Sequence, residues 1–185
     1  MTIPHSRDSP GPGKNVFVTV GTTRFDKLVS ASTSPTALRW FTSQGYSSLT
    51  IQYGTGDQPV INSSVSDLNI QCYSFQPSLN EDIQKADLVI SHAGAGTVME
   101  VLKLRKKLIV VINTQLMNNH QEELACAMEE RGHLLVVANP ELLEERHTWT
   151  SFEDFCPDPH HQGGDDQDFP RLLDSFLGFK SCKDD

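Results

Sequence analysis

No apolar run in this sequence approaches the roughly 20 residues that cross a bilayer as a helix, so no direct membrane span is expected. Cysteine is scarce: Cys72, Cys126, Cys156 and Cys182 are the four in 185 residues. They stand far apart, and no two form a CxxC pair. That spacing argues against a disulfide framework or a zinc site, and makes reduced cytosolic thiols the default. Basic charge is also short. Fifteen Lys and Arg face 24 Asp and Glu, for a formal net charge of -9. A phosphate backbone is bound by a basic face, so no nucleic-acid partner is expected. The densest basic cluster, Arg105-Lys106-Lys107, falls between a helix and a strand and reads as a solvated turn. The first residues, rich in Pro, Ser and Gly, lack the apolar core of a signal peptide. They read as a flexible leader over 1–14.

What is present is a succession of short apolar runs. Val16 to Val20 stops at Gly21 and reads as a buried strand. Leu49 to Tyr53 and Ile70 to Phe75 follow, then Leu88 to Ile90, Leu108 to Ile112 and Leu134 to Val137. Between them lie helical stretches. Ser34-Pro35 opens one that runs to about Gly45, with Leu38, Phe41 and Trp40 facing inward. Ser78, with Glu81 three residues on, has the spacing of a capping box. Gly96 to Arg105 and Asn119 to Arg131 complete the set, the latter ended by Gly132. Continuous apolar strands alternating with helices imply a parallel sheet covered on both faces. The expected fold class is α/β, a Rossmann-like open parallel sheet over residues 15–147, with no internal repeat.

Beyond about Glu145 the character changes, and an acidic linker is expected over 148–168. Within it, His160-His161 lies near Cys156 and Asp158 and invites a metal reading. A Gly-Gly-Asp-Asp stretch holds no ligand geometry, so a solvated loop is preferred and no metal site is assigned. A last helix is expected over 169–180. Phe169, Leu172, Leu173, Phe176 and Leu177 make one amphipathic stripe. Pro170 suits its first turn and Gly178 its stop. So short a helix is marginal alone and must dock, on its own domain or on a partner.

Ligands of an open parallel sheet bind at the carboxyl ends of its strands, and the residues after the first, fourth and fifth strands are unusual. Gly21-Thr22-Thr23 could bring backbone to a ligand and offer hydroxyl and N–H donors, or be a plain turn. His92-Ala93-Gly94-Ala95-Gly96-Thr97 puts small residues at a helix N-terminus, where unpaired N–H groups suit a diphosphate. Glu100 follows Gly96 by one turn on the same face, while Val98, Val101 and Leu102 take the buried side. A carboxylate so placed can accept both hydroxyls of a ribose. As a dinucleotide fingerprint the stretch fails: the third glycine is missing, it follows the fourth strand, and the acid comes too early. A nicotinamide oxidoreductase is therefore disfavoured. Asn118-Asn119-His120-Gln121 opens the next helix with amides and an imidazole, groups that can both donate to and accept from sugar hydroxyls. Asn119 serves equally as an N-cap.

The stretches Val16 to Leu28, Leu79 to Glu100 and Ile109 to His133, in this order and spacing, resemble glycosyltransferase family 28. They are most similar to its eukaryotic members that make chitobiosyl-diphospho-dolichol. The likeness runs from about Asn15 to Val137 and includes the terminal helix. It implies the donor-binding, C-terminal-type half of a GT-B transferase, with UDP-GlcNAc as donor substrate and no cofactor. It implies the inverting transfer of N-acetylglucosamine to GlcNAc-diphospho-dolichol by a β1,4 bond, the second step of lipid-linked oligosaccharide synthesis for N-glycosylation. The acceptor half would be a membrane-anchored partner subunit, which would hold the chain at the cytosolic face of the endoplasmic reticulum. The resemblance assigns Gly94, Ala95, Gly96 and Thr97 to the diphosphate and Glu100 to the ribose. Asn119, His120 and Gln121 fall to the sugar, and Gly21 and Thr22 face the interdomain cleft. His92 joins the donor-binding set. Phe169, Leu172, Leu173, Phe176 and Leu177 become partner-binding. For the base that inversion requires, the candidates are His120 and a group of the partner subunit. A non-catalytic UDP-sugar-binding or scaffold subunit of the same fold is the alternative.

Overall fold

The computed structural model describes residues 13–61, 67–113 and 119–155, and of residues 119–124 the backbone only. Its strands are β1 (Lys14–Thr19), β2 (Tyr46–Gln52), β3 (Asn69–Tyr73), β4 (Leu88–His92), β5 (Lys107–Val111) and β6 (Leu135–Val137). They form one six-stranded sheet in the order β3-β2-β1-β4-β5-β6, parallel throughout. The doubly covered parallel sheet expected from the apolar runs is therefore present.

Alternation along β1 divides the core in two. Val16 and Val18 point into one cluster and Phe17 into the other, because successive side chains of a strand leave on opposite faces. On the first face lie α1 (Asp26–Ser32), α2 (Pro35–Ser43) and α6 (Arg146–Glu153), contributing Leu28, Leu38, Phe41 and Trp149. On the second lie α3 (Asn80–Lys85), α4 (Ala95–Lys103) and α5 (Asn119–Glu130), contributing Ile83, Val98, Val101 and Met128. β1 and β4, paired at the centre, bury apolar residues on both faces, which is why they read as unbroken hydrophobic runs.

Local signals placed several helix ends. The Ser34 hydroxyl accepts from the Ala37 N–H at 3.2 Å, with Pro35 in the first turn. Gly132, at φ 70°, ends α5: its N–H reaches Glu129 O and the His133 N–H reaches Met128 O, satisfying last-turn carbonyls as a left-handed C-terminal glycine does. The capping box at Ser78 does not form. α3 starts at Asn80, one residue later than that reading requires, and no side chain caps it. Ser78 instead accepts from the Asn80 N–H at 3.2 Å, while Glu81 pairs with Lys85 at 3.4 Å one turn on. α1 was not expected. It forms because Leu28, Val29 and Ala31 are buried against the sheet.

The expected boundary at 147 needs correction. α6 spans it, and residues 148–153 are helix, not linker. Trp149 is 1% exposed. Its ring stacks on Trp40 at 4.6 Å and meets the edges of Phe41 and Phe152 at 5.2 and 5.4 Å. Its Nε1 donates to the Leu143 carbonyl at 2.7 Å, so its one polar atom is satisfied. The polar residues around Trp149 and Phe152 disguised an i, i+3 pair that closes the first core. The expected 157–167 loop, with His160-His161, and the stripe Phe169 to Leu177 lie outside the described residues. Among the described residues no helix is long and apolar enough to cross a membrane.

Trp149→Ala should cost about 3–5 kcal/mol of unfolding free energy in urea denaturation, the range for deleting a buried aromatic. A cost near zero would mean that α6 lies outside the cooperative core.

Candidate functional site

β1 and β4 are neighbours, yet their chains leave the sheet on opposite sides. After β1 the chain turns towards α1 and α2; after β4 it turns towards α4. Divergence at such a point opens a crevice outside the carboxyl ends of the strands. A cleft of about 390 Å³ occupies it. Gly21 and Thr22 form one wall, and His92 with Gly94 to Thr97 forms the second, with Glu100 one turn deeper. A third wall, Phe75 to Leu79, comes from the segment after β3, and Gln52 lies at the base. The structure thus brings Gly21, Thr22, His92, Gly94, Ala95, Gly96, Thr97 and Glu100 together.

α4 begins directly on this cleft. Gly94 is its N-cap, with no side chain capping the helix and no acidic residue in its first turn. The first intrahelical bond runs from the Val98 N–H to the Gly94 carbonyl at 3.0 Å. The N–H groups of Ala95, Gly96 and Thr97 therefore have no acceptor within the helix. Together with the helix dipole they favour an anion there. Glu100 is exposed, while Val98 and Val101 are buried beneath it, as the spacing predicted.

His92 explains two of the glycines. The Gly94 N–H turns back onto the His92 carbonyl at 2.8 Å, which folds the chain tightly over the imidazole. A Cβ on Gly94 would come within 2.5 Å of His92 Nε2, and one on Gly21 within 3.0 Å of Cε1. Gly21 also has φ 61°, a region that penalises a side chain. At Gly96 an added Cβ would meet nothing within 4 Å, so packing does not demand that glycine. The His92 Nδ1 is buried, and among the described residues no hydrogen-bond partner meets it. Burial pushes its pKa below 6.5, because a charged ring would lose its hydration there.

The loop after β1 offers less than its composition promised. The Gly21 N–H is taken by the Thr19 hydroxyl at 3.1 Å. The Thr23 N–H and hydroxyl both return to the Val20 carbonyl, at 3.2 and 2.8 Å. Thr22, exposed, is left facing the cleft. α5 begins at Asn119 as expected, just past the carboxyl end of β5. The side chains of Asn119, His120 and Gln121 lie outside the described residues. Sequence reasoning missed Gln52 and Phe75. Gln52 lies inside the run from Leu49 to Tyr53 and Phe75 ends the run from Ile70, so each reads there as a strand residue.

A second cleft, about 550 Å³, lies between the Thr23–Lys27 segment and Asn113, Asn139 and Glu141. Its cations are already matched: Arg24 with Asp26 at 2.5 Å and Asp57 at 2.6 Å, and Lys27 with Glu141 at 2.9 Å. The helix that starts there, α1, also has no side-chain cap, but it carries an acidic residue, Asp26, in its first turn, which works against an anion at that end. The cluster Arg105-Lys106-Lys107 sits at the opposite edge of the sheet, where Lys107 pairs with Leu88 at the start of β4. Among the described residues no group of His, Cys, Asp and Glu could hold a metal ion.

The His92 environment sets a pH dependence. Unfolded, this histidine takes up a proton near pH 6.5; folded, burial keeps it neutral to lower pH. Below that point the unfolded chain binds more protons, so stability is complete above it and declines as pH falls. Thermal unfolding between about pH 8 and pH 5 should show wild type losing Tm on acidification relative to His92→Gln. Parallel profiles would contradict a buried neutral ring.

The chain is 50% identical over 121 residues to the UDP-N-acetylglucosamine transferase subunit ALG13 of Homo sapiens, a match covering 65% of this chain and 11% of that protein. With the subunit of the same name from Yarrowia lipolytica it shares 33% over 123 residues, covering 65% of this chain and 63% of that one. The chain thus spans about a tenth of the length of the human relative. The NMR solution structure of ALG13 superposes with a TM-score of 0.64 at 27% identity, covering 87% of this chain and 95% of that one. The crystal structure of MurG from Acinetobacter baumannii shares the fold, with a TM-score of 0.58 at 19% identity over 92% of this chain and 51% of that one. Residues 15–148, which carry every described wall of the cleft, match the glycosyltransferase family 28 C-terminal domain, and the chain belongs to that family.

Proposed function

We propose that this chain is the donor-binding, catalytic subunit of a UDP-N-acetylglucosamine transferase. In this reading the cleft between β1 and β4 holds the UDP of UDP-GlcNAc. The observation that carries it is the bare N-terminus of α4 opening on that cleft, with Glu100 one turn deeper on the same face. The diphosphate lies on the N–H groups of Ala95, Gly96 and Thr97. The Glu100 carboxylate accepts the ribose hydroxyls. Phe75, 63% exposed on the third wall, offers an aromatic face for the uracil. The relatives' name, UDP-N-acetylglucosamine transferase subunit, supports both the donor and a heteromeric assembly.

As the sugar departs, negative charge gathers on the β-phosphate oxygen. Fixed N–H dipoles aimed at that position stabilise it without reorganising, which is the most effective form of electrostatic catalysis. The acceptor in this reading is GlcNAc-diphospho-dolichol, attacked with inversion to give a β1,4 bond. His120, on the first turn of α5 at the same edge of the sheet, is this chain's candidate for the base that takes the acceptor proton. The partner subunit is the other source. Asn119 and Gln121 flank it and contact the sugar. The partner, membrane-anchored and acceptor-binding, places the reaction at the cytosolic face of the endoplasmic reticulum. Phe169, Leu172, Leu173, Phe176 and Leu177 are its docking stripe.

The test is co-expression with the acceptor-binding membrane subunit, followed by transfer of labelled N-acetylglucosamine to a lipid-diphosphate-GlcNAc acceptor. In that assay Glu100→Ala should raise the donor KM by about tenfold to a hundredfold, the value of hydrogen bonds to a charged group, with a smaller effect on kcat. An unchanged donor KM would remove Glu100 from the ribose. UDP-GlcNAc binding without transfer by the pair would leave a binding subunit in place of an enzyme.

A further inference from the structure

We infer that Gln52, with Thr19 as its relay, is a positioning residue that sets the Gly21 wall of the cleft against the Phe75 wall. The inference rests on the cleft being the UDP site. Gln52 is the last residue of β2 and is 1% exposed; Thr19, the last of β1, is 0% exposed. The Gln52 Oε1 accepts from the Thr19 hydroxyl at 2.6 Å and from the Val20 N–H at 3.2 Å. Its Nε2 donates to the Gly21 carbonyl at 2.7 Å and to the Ser74 carbonyl at 2.8 Å. These bonds use the full capacity of a carboxamide. They also fix which end is which: one end faces an N–H and the other faces two carbonyls.

Thr19 completes the clamp. Its hydroxyl donates to Gln52 and accepts from the Gly21 N–H at 3.1 Å. Both polar backbone groups of Gly21 are thereby held, the carbonyl directly and the N–H through Thr19. The same amide holds Ser74, the residue before Phe75. β1 and β3 are not neighbours; β2 lies between them. No ladder bond can couple the ends of β1 and β3, and the Gln52 side chain bridges them from the strand between.

Removing the amide would leave the Thr19 hydroxyl and the Gly21 and Ser74 carbonyls without these partners, which costs stability. Beyond that, the amide contributes relative placement. A ligand that touches both walls gains from walls already at the right separation. In the proposed reading uridine rests on Phe75 and Glu100, while the diphosphate at the start of α4 also faces Thr22 on the Gly21 wall, so UDP spans both walls and uridine does not.

The experiment measures UDP and uridine affinity by calorimetry on the full chain, with thermal unfolding recorded for each variant. Gln52→Leu should weaken UDP about tenfold or more, and uridine by less than about threefold. Thr19→Val should weaken UDP by about threefold or more, while Thr19→Ser, which keeps the hydroxyl, stays within about twofold of wild type. If Gln52→Leu does not fold, the Thr19 pair decides. Unchanged UDP affinity in folded Gln52→Leu, or equal losses in Thr19→Val and Thr19→Ser, overturns the inference. So does an equal loss of UDP and uridine, which a general loosening of the cleft would give. Wild-type chain that binds no UDP is a different failure: it removes the donor site itself, and the positioning role with it.

Discussion

The parting of β1 and β4 at the middle of the sheet governs this structure. The two strands are hydrogen-bonded neighbours, but one feeds helices on the first face and the other feeds helices on the second. A ligand crevice follows from that topology alone. Everything chemically distinctive in the chain is then arranged around the crevice. The glycines at 21 and 94 let backbone close over His92. Gln52 and Thr19 hold the turn after β1. α4 presents its first-turn N–H groups with no side chain among the described residues capping them.

That last feature unites the binding and catalytic roles proposed for the site. A helix N-terminus recognises a diphosphate in the ground state and stabilises the extra charge that develops when the diphosphate leaves. A neutral His92 beside it adds no charge of its own, and in the proposed reading Glu100, one turn along the helix, meets the ribose instead of repelling the phosphates. The chain carries a net charge of -9, so the proposed donor site relies on oriented dipoles, not on a basic surface.

Most of this was legible in the sequence where the signal is local. Unbroken apolar runs announced the strands, and Ser34-Pro35 and Gly132 marked helix ends because capping chemistry is short-range. The loop from His92 to Thr97 with Glu100 one turn on declared itself by helical spacing. What stayed hidden depends on which strands are neighbours. Gln52 looks like one polar residue within a strand until the order β3-β2-β1 puts it between the turns it holds. Phe75 looks like the end of β3 until the crevice is seen beside it. α1 was missed because its seven residues carry no side-chain cap and too few apolar positions to show a period. α6 was missed because Trp149 and Phe152 are set among polar residues, and their burial is decided by Trp40 and Phe41, more than a hundred positions away in the chain.

The central claim is that UDP binds at the bare end of α4. The most direct test is an amide chemical-shift titration of the full chain with UDP. The largest shifts should fall on Ala95, Gly96 and Thr97, with Thr22 and Gln76 following and Arg105 to Lys107 unmoved. Shifts centred on Asn113, Asn139 and Glu141, around the second cleft, would contradict it.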